Sequence, residues 1–271
     1  MHFAQELIDY ICQNLEHDTA TLVACSQTSL SWLWASRRVQ FRSLDLSACH
    51  VSRLEYDLAF LESATFIRPN VIRVAVRLRP IITEQPPNEV TLQLWHIERI
   101  LSLLPNTRQL QINAQHIDGS SLTKTSCPKR GFQLETLSLC GFHYHNANEV
   151  EGLAAFFSLF ATIVRLKLFL FGLDNPPLYP NAKFIELLKR FSIPSIEHLF
   201  FYRVSLGTLH YFAYATRTHP AKSLKYSDQH LKMGDTDGPI VVEILKACAG
   251  KLEAVSILCE SGKILLQRSV G

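Results

Sequence analysis

The chain is predicted to fold as an α/β protein, with a module of three short helices over residues 1–42 leading into a long array of parallel strands and helices over residues 43–271. Three observations carry that expectation. Apolar residues recur at helical spacing in the first forty positions. A three-point apolar motif then returns eight times along the remainder, and segments with a helical apolar stripe lie between its copies. Side chains repeat every 3.6 residues in a helix and every two in a strand, so the alternation between the two patterns is visible in the order of residues.

The first helix comes from Leu7, Ile8, Ile11, Cys12 and Leu15, with Glu6, Asp9, Gln13 and Glu16 elsewhere around the wheel. Asp18 or Thr19 caps a second helix carrying Leu22, Val23 and Cys25, and Ser29 starts a third carrying Leu33 and Trp34. Short polar side chains suit these positions because they accept hydrogen bonds from the free N–H groups of a first turn. Three helices in so short a stretch bury too small a fraction of their surface to stand alone. A partner or the following domain must cover them.

The residues Glu6-Leu7-Ile8-Asp9 and the later run Cys25-Ser26-Gln27-Thr28-Ser29-Leu30-Ser31-Trp32 resemble an F-box, in the divergent form found in mushroom-forming fungi. Family members usually open with Leu-Pro, and this chain has Phe3-Ala4 there. The resemblance implies an F-box-like module that docks on the Skp adaptor of a cullin ubiquitin ligase through Phe3, Glu6, Leu7, Ile8, Ile11, Leu15, Leu22 and Trp32. Whatever follows such a module selects a target. A helical cap that only shields the end of the repeats is the other reading of residues 3–42.

Beyond the module, the apolar triplets are Phe41/Leu44/Leu46, Val71/Val74/Val76, Thr107/Leu110/Ile112, Leu134/Leu137/Leu139, Ile163/Leu166/Leu168, Ile196/Leu199/Phe201, Ala221/Leu224/Tyr226 and Leu252/Val255/Ile257. Their central residues are spaced from 25 positions (199 to 224) to 36 (74 to 110). Helices are expected between them at Leu94 to Leu104, Glu149 to Ala161, Lys183 to Phe191, Leu206 to Ala215 and Pro239 to Ala249. The array resembles irregular leucine-rich repeats, which implies a leucine-rich-repeat-like solenoid with parallel strands on its concave face and helices on its convex face. An ordinary α/β sheet of successive strand and helix units carries a similar signal. Ile264-Leu265-Leu266 reads as a final edge strand with no polar capping repeat after it, so a further C-terminal segment is allowed for.

Strand alternation puts the triplets inward and the intervening residues on an open face. Candidate target-binding residues there are Arg73, Arg77, Arg79, Arg165, Lys167, His198, Phe200, Tyr202 and Lys225, with Phe169 beside them. Six positions of that face are Lys or Arg and only Asp45 is acidic, against 27 basic and 24 acidic residues overall. Forked guanidinium groups favour carboxylate or phosphate, so the expected target is acidic or phosphorylated.

The composition limits other readings. A net charge of +3 is too small to imply a nucleic-acid partner by itself, and none is expected. Seven scattered cysteines without a CxxC pair point to a reducing compartment, cytoplasmic or nuclear. Leu153 to Leu173 is the longest apolar run, but Arg165 and Lys167 inside it would each cost about 2.5–3.5 kcal/mol near a bilayer centre. It reads as a helix running into a buried strand, and no membrane partner is expected. His143-x-His145 lacks further ligands at metal spacing, and no nucleophile motif or phosphate loop occurs. No cofactor, metal site or catalytic residue is therefore assigned. The expected function is non-catalytic: a substrate-recognition adaptor of a Skp/cullin/F-box ubiquitin ligase, or alternatively a repeat scaffold that binds a protein or acidic ligand with no ubiquitin role.

Overall fold

The computed structural model describes residues 4–48, 51–78, 92–114, 117–118, 131–144, 147–173, 194–227, 237–259 and 262–267. Three helices open it, α1 (Gln5–Asn14), α2 (Thr19–Ser26) and α3 (Leu30–Gln40). Asp18 caps α2: its carboxylate accepts from the Thr21 backbone N–H at 3.0 Å and from the Thr21 hydroxyl at 2.6 Å. Ser29 precedes α3 as expected, although its side chain makes no cap bond. Ile8, Cys12, Leu22, Ala35 and Val39 form a small core of their own, flanked by Leu15 and Trp32.

Strand β1 (Ser43–Ala48) follows α3 almost at once, then come α4 (Val51–Ser63), β2 (Arg73–Leu78), β3 (Leu92–Gln93), α5 (Leu94–Leu103), β4 (Gln109–Asn113) and β5 (Ile117–Asp118). The second half contains β6 (Phe132–Cys140), β7 (His143–Tyr144), α6 (Ala147–Ser158), β8 (Phe160–Leu173), β9 (Ser195–Val204), α7 (Leu206–Thr218), β10 (Ser223–Ser227), α8 (Asp237–Cys248), β11 (Ala254–Cys259) and β12 (Gly262–Gln267). The fold is mixed α/β, with a two-stranded sheet of β3 and β5 and one large, mostly parallel sheet. The described strands of the large sheet run in the order β1-β2-β4-β6-β8-β9-β10-β11-β12, never doubling back, with β7 pairing β8 off this path, and among them only β12 is antiparallel to its neighbour.

The second and third members of all eight triplets fall on these strands, and the register stacks them in rows, while Phe41, Val71, Thr107, Ala221 and Leu252 precede their strands. Leu44, Val74, Leu110, Leu137, Leu166, Leu199, Leu224 and Val255 are successive Cα partners across the sheet. The third members, from Leu46 to Ile257, form a parallel row two residues on. Because side chains alternate, both rows face the same way, and almost all of their members are buried with the inner faces of α4 to α8 in one continuous core. Strand entry repeats as well. The Arg42 carbonyl accepts from Ile72 and Arg73, that of Ile72 from Arg108 and Gln109, and that of Arg108 from Glu135 and Thr136.

One helix expectation needs correction, and one helix had no expectation. The helix placed at Glu149 to Ala161 spans Ala147–Ser158, because Phe160 already pairs with Phe132 in the sheet and the Phe132 N–H donates to the Leu159 carbonyl at 2.8 Å. Helix α4 was not foreseen, although Leu54, Leu58 and Leu61 line one of its faces and are buried. The apolar run from Leu153 to Leu173 does divide into the end of α6 and the start of β8. Among the described residues no helix is long and apolar enough to cross a membrane. The helix expected at Lys183 to Phe191 lies outside the described residues.

Candidate functional site

Two surfaces hold the residues singled out above. On the open face of the sheet, β8, β9 and β10 bring Arg165, Lys167, His198, Phe200, Tyr202 and Lys225 into one patch. Arg165 pairs with His198, Lys167 with Phe200 and Phe169 with Tyr202 across β8 and β9, while His198 pairs with Ser223 and Phe200 with Lys225 across β9 and β10. Phe169 lies 5.4 Å from Phe200 and 6.2 Å from Tyr202, ring centre to ring centre. Lys225 Nζ sits 4.9 Å from the centre of the Phe200 ring, an exposed cation–π contact of about 0.5–1 kcal/mol. The imidazole Nδ1 of His198 is 2.8 Å from the Ser223 hydroxyl.

The arginines of β2 do not belong to this patch. Two strands separate β2 from β8, a distance of about 14 Å at the usual strand spacing. Arg77 pairs with Asp45 of the neighbouring β1 at 2.9 Å, and Arg73 pairs with Glu16 beyond α1 at 3.0 Å. Both therefore carry local counter-charges. Arg165, Lys167, Lys225 and Arg203 differ, since none of them makes an ion pair among the described residues. Arg79 lies outside the described residues.

One feature of the patch has no sequence signature. Alternation predicts Leu170 and Arg203 on the inner side, yet both adopt left-handed backbone, φ 50° each, and both are exposed. Residues 169–170 and 202–203 thus point outward in succession, and Phe171 and Val204 return to the core. Because each strand carries the same extra outward residue, Phe169 stays paired with Tyr202 and Phe171 with Val204. A left-handed conformation costs a non-glycine residue roughly 1–2 kcal/mol, and a bulky leucine has no local polar group to offset it.

The second surface is the helical module. Ile8 and Leu22 are inside its core, so neither presents an apolar surface to a partner, which corrects their assignment to adaptor docking. Ile11, Leu15 and Trp32 are half-buried, whereas Glu6 and Leu7 are exposed. Phe3 lies outside the described residues. Large apolar side chains left in solvent are Leu7, Tyr10, Val23, Leu30 and Trp34. Tyr10 stands three residues after Leu7, and Trp34 four after Leu30, spacings that put each pair on one helix face. Tyr10, Leu30 and Trp34 are absent from the residues assigned above to adaptor docking, although that spacing was available.

The module is tied to the sheet. Only Phe41 and Arg42 separate α3 from β1, and the Glu16 carboxylate lies 3.0 Å from Arg73 and 3.7 Å from Arg42. Phe41 packs against the main core and meets Phe66 edge-on at 6.1 Å. The Arg37 guanidinium lies over the rings of Trp34 and Phe66, bridging α3 to the segment after α4.

Burial pushes the thiols of Cys12, Cys140 and Cys248 above the ordinary cysteine range, away from the nucleophilic thiolate. Among the described residues no group of three potential metal ligands converges, and His145 of the His143-x-His145 pair falls outside them. Compared with family models, curated proteins and solved structures, the chain matches none.

Proposed function

We propose that this chain is the substrate-recognition adaptor of a Skp/cullin/F-box ubiquitin ligase, with residues 1–42 as an F-box-like module and residues 43–271 as a leucine-rich-repeat-like solenoid. The observation that carries this reading is the incomplete module. A core of five buried side chains closes three helices and leaves Leu7, Tyr10, Leu30 and Trp34 in solvent, apolar surface of a kind that marks a docking site. Strands that follow chain order without reversal, stacked by like residues in like positions, support a solenoid over a doubly wound sheet, in which the order reverses. The short, ion-paired join to β1 suits an adaptor, which has to hold its target at a set distance from the ubiquitin donor.

In this reading the Skp adaptor docks on the module, the patch on β8 to β10 holds an acidic or phosphorylated target, and the chemistry takes place on other subunits in the cytoplasm or nucleus. Co-expression with a Skp-type adaptor tests it. The expected result is a complex that co-elutes through size exclusion. A folded chain that elutes without the adaptor would leave a repeat scaffold with no ubiquitin role.

A further inference from the structure

We infer that the segment recognised on the open face is an acidic peptide with one bulky apolar side chain, seated on the ledge that the paired left-handed residues Leu170 and Arg203 build. This rests on the target-binding reading above and names what that surface selects. Exposed Leu170 directly follows Phe169, whose half-buried ring meets those of Phe200 and Tyr202, so a further apolar side chain is added at the ends of β8 and β9. Regular alternation would have turned Leu170 into the core and ended that area one residue earlier. Backbone outliers of this kind persist where the surroundings enforce them, and they concentrate at ligand clamps.

The charge around the ledge has one sign. Arg165, Lys167 and Lys225 lie toward one side and Arg203 toward the strand ends, none with an ion pair among the described residues, whereas Arg73 and Arg77 on the same sheet are compensated. An apolar centre with a polar rim is the usual anatomy of a protein-binding site, and its affinity concentrates in aromatic and arginine residues. Charge complementarity then requires Asp or Glu flanking the apolar anchor. A single-stranded nucleic acid, which also suits basic and aromatic surfaces, needs open ring faces for base stacking. Here Lys225 lies over Phe200 and Arg203 over Tyr202 at 5.6 Å, so both rings already carry a cation on a face.

The test pans a random peptide library against the full chain, the Arg165→Glu/Lys167→Glu variant and the Phe200→Ala variant. Enriched peptides should combine Asp or Glu with one Phe, Trp, Tyr or Leu. A synthetic copy should lose about tenfold or more in affinity when that apolar residue becomes Ala, and again on each variant, with binding weakened as salt shortens the Debye length. Acidic peptides that bind equally well with Ala in place of the anchor would overturn this inference and leave the acidic-target surface standing. Absence of acidic peptides, or undiminished capture by the charge-reversed variant, would overturn both. Tighter binding of an oligothymidylate than of any peptide would reassign the surface to nucleic acid. Adaptor co-elution is measured on the same preparations, so failure of the ligase reading is scored separately.

Discussion

Replacing Leu7 and Tyr10 together by Asp should separate docking from folding. Leu7 is 45% exposed and Tyr10 64%, so about half of each side chain is still available for burial by a partner. Complete burial of a large apolar side chain is worth about 1.5–3 kcal/mol, which leaves roughly 1 kcal/mol per residue to docking. Placing charge in the docked interface adds a desolvation penalty, bringing the expected loss to about 3 kcal/mol or more, roughly a 150-fold rise in Kd. Folding should be nearly untouched, because both positions face solvent and, at Leu7, an acidic residue in the first turn suits the helix dipole. The control is Ile8→Asp, at a position 4% exposed, which buries an unpaired charge among Cys12, Leu22, Ala35 and Val39 and should unfold the module. Titration calorimetry with the Skp adaptor and circular dichroism of the free chain read the two effects. Adaptor affinity within threefold of the parent, or helix loss as complete as that of the control, would refute the reasoning.

The outward turn at the end of β8 predicts opposite responses two residues apart: Leu168→Asn, in the core, should cost about 3–5 kcal/mol in urea unfolding. Leu170→Asn should leave stability level or raise it by up to about 1 kcal/mol, since Asn tolerates left-handed backbone. Removing the α2 cap with Asp18→Ala should cost about 1 kcal/mol, measured by thermal unfolding. A double-mutant cycle with Glu16→Gln and Arg73→Gln should give a coupling of about 0.5–1 kcal/mol, and zero coupling would mean that this pair does not help fasten the module to the sheet. His96 is fully buried on α5, 3.9 Å from a Glu55 carboxylate oxygen, and burial holds its imidazole below the ordinary histidine range. Below about pH 6.5 the unfolded chain therefore takes up a proton that the folded chain resists. The contribution is present above that pH and is lost as pH falls through it, at no more than about 1.4 kcal/mol per pH unit. His96→Leu should flatten the decline in stability between neutral pH and pH 5.5.

Much of the scaffold was legible because burial imposes a period. Leu137 and Leu139, two positions apart, share a face on a strand but not on a helix, and the same i, i+2 pair marked every neighbour in the large sheet up to β11. Leu54, Leu58 and Leu61 carried an equally plain helical signal, and α4 was nonetheless missed. The patch was legible in part: Arg165, Lys167, His198, Phe200, Tyr202 and Lys225 fall where alternation put them. Leu170 and Arg203 do not, because a backbone that leaves its regular conformation in two adjacent strands leaves no mark on residue type.

By itself, then, the order of residues determined which segments become strand or helix and which side of the sheet is greasy, since both follow from local spacing and the removal of apolar surface from water. Tertiary structure alone decided which charges remain unpaired. Arg73 meets Glu16 across 57 positions, and Arg77 meets Asp45 only once β1 and β2 are in register. It also decided between Leu7 and Ile8, adjacent on the same helix, by turning Ile8 onto the other two helices and Leu7 to solvent. Charge pairing and the choice of an inward face depend on neighbours distant in sequence, and the chain has to be folded before those neighbours are within reach.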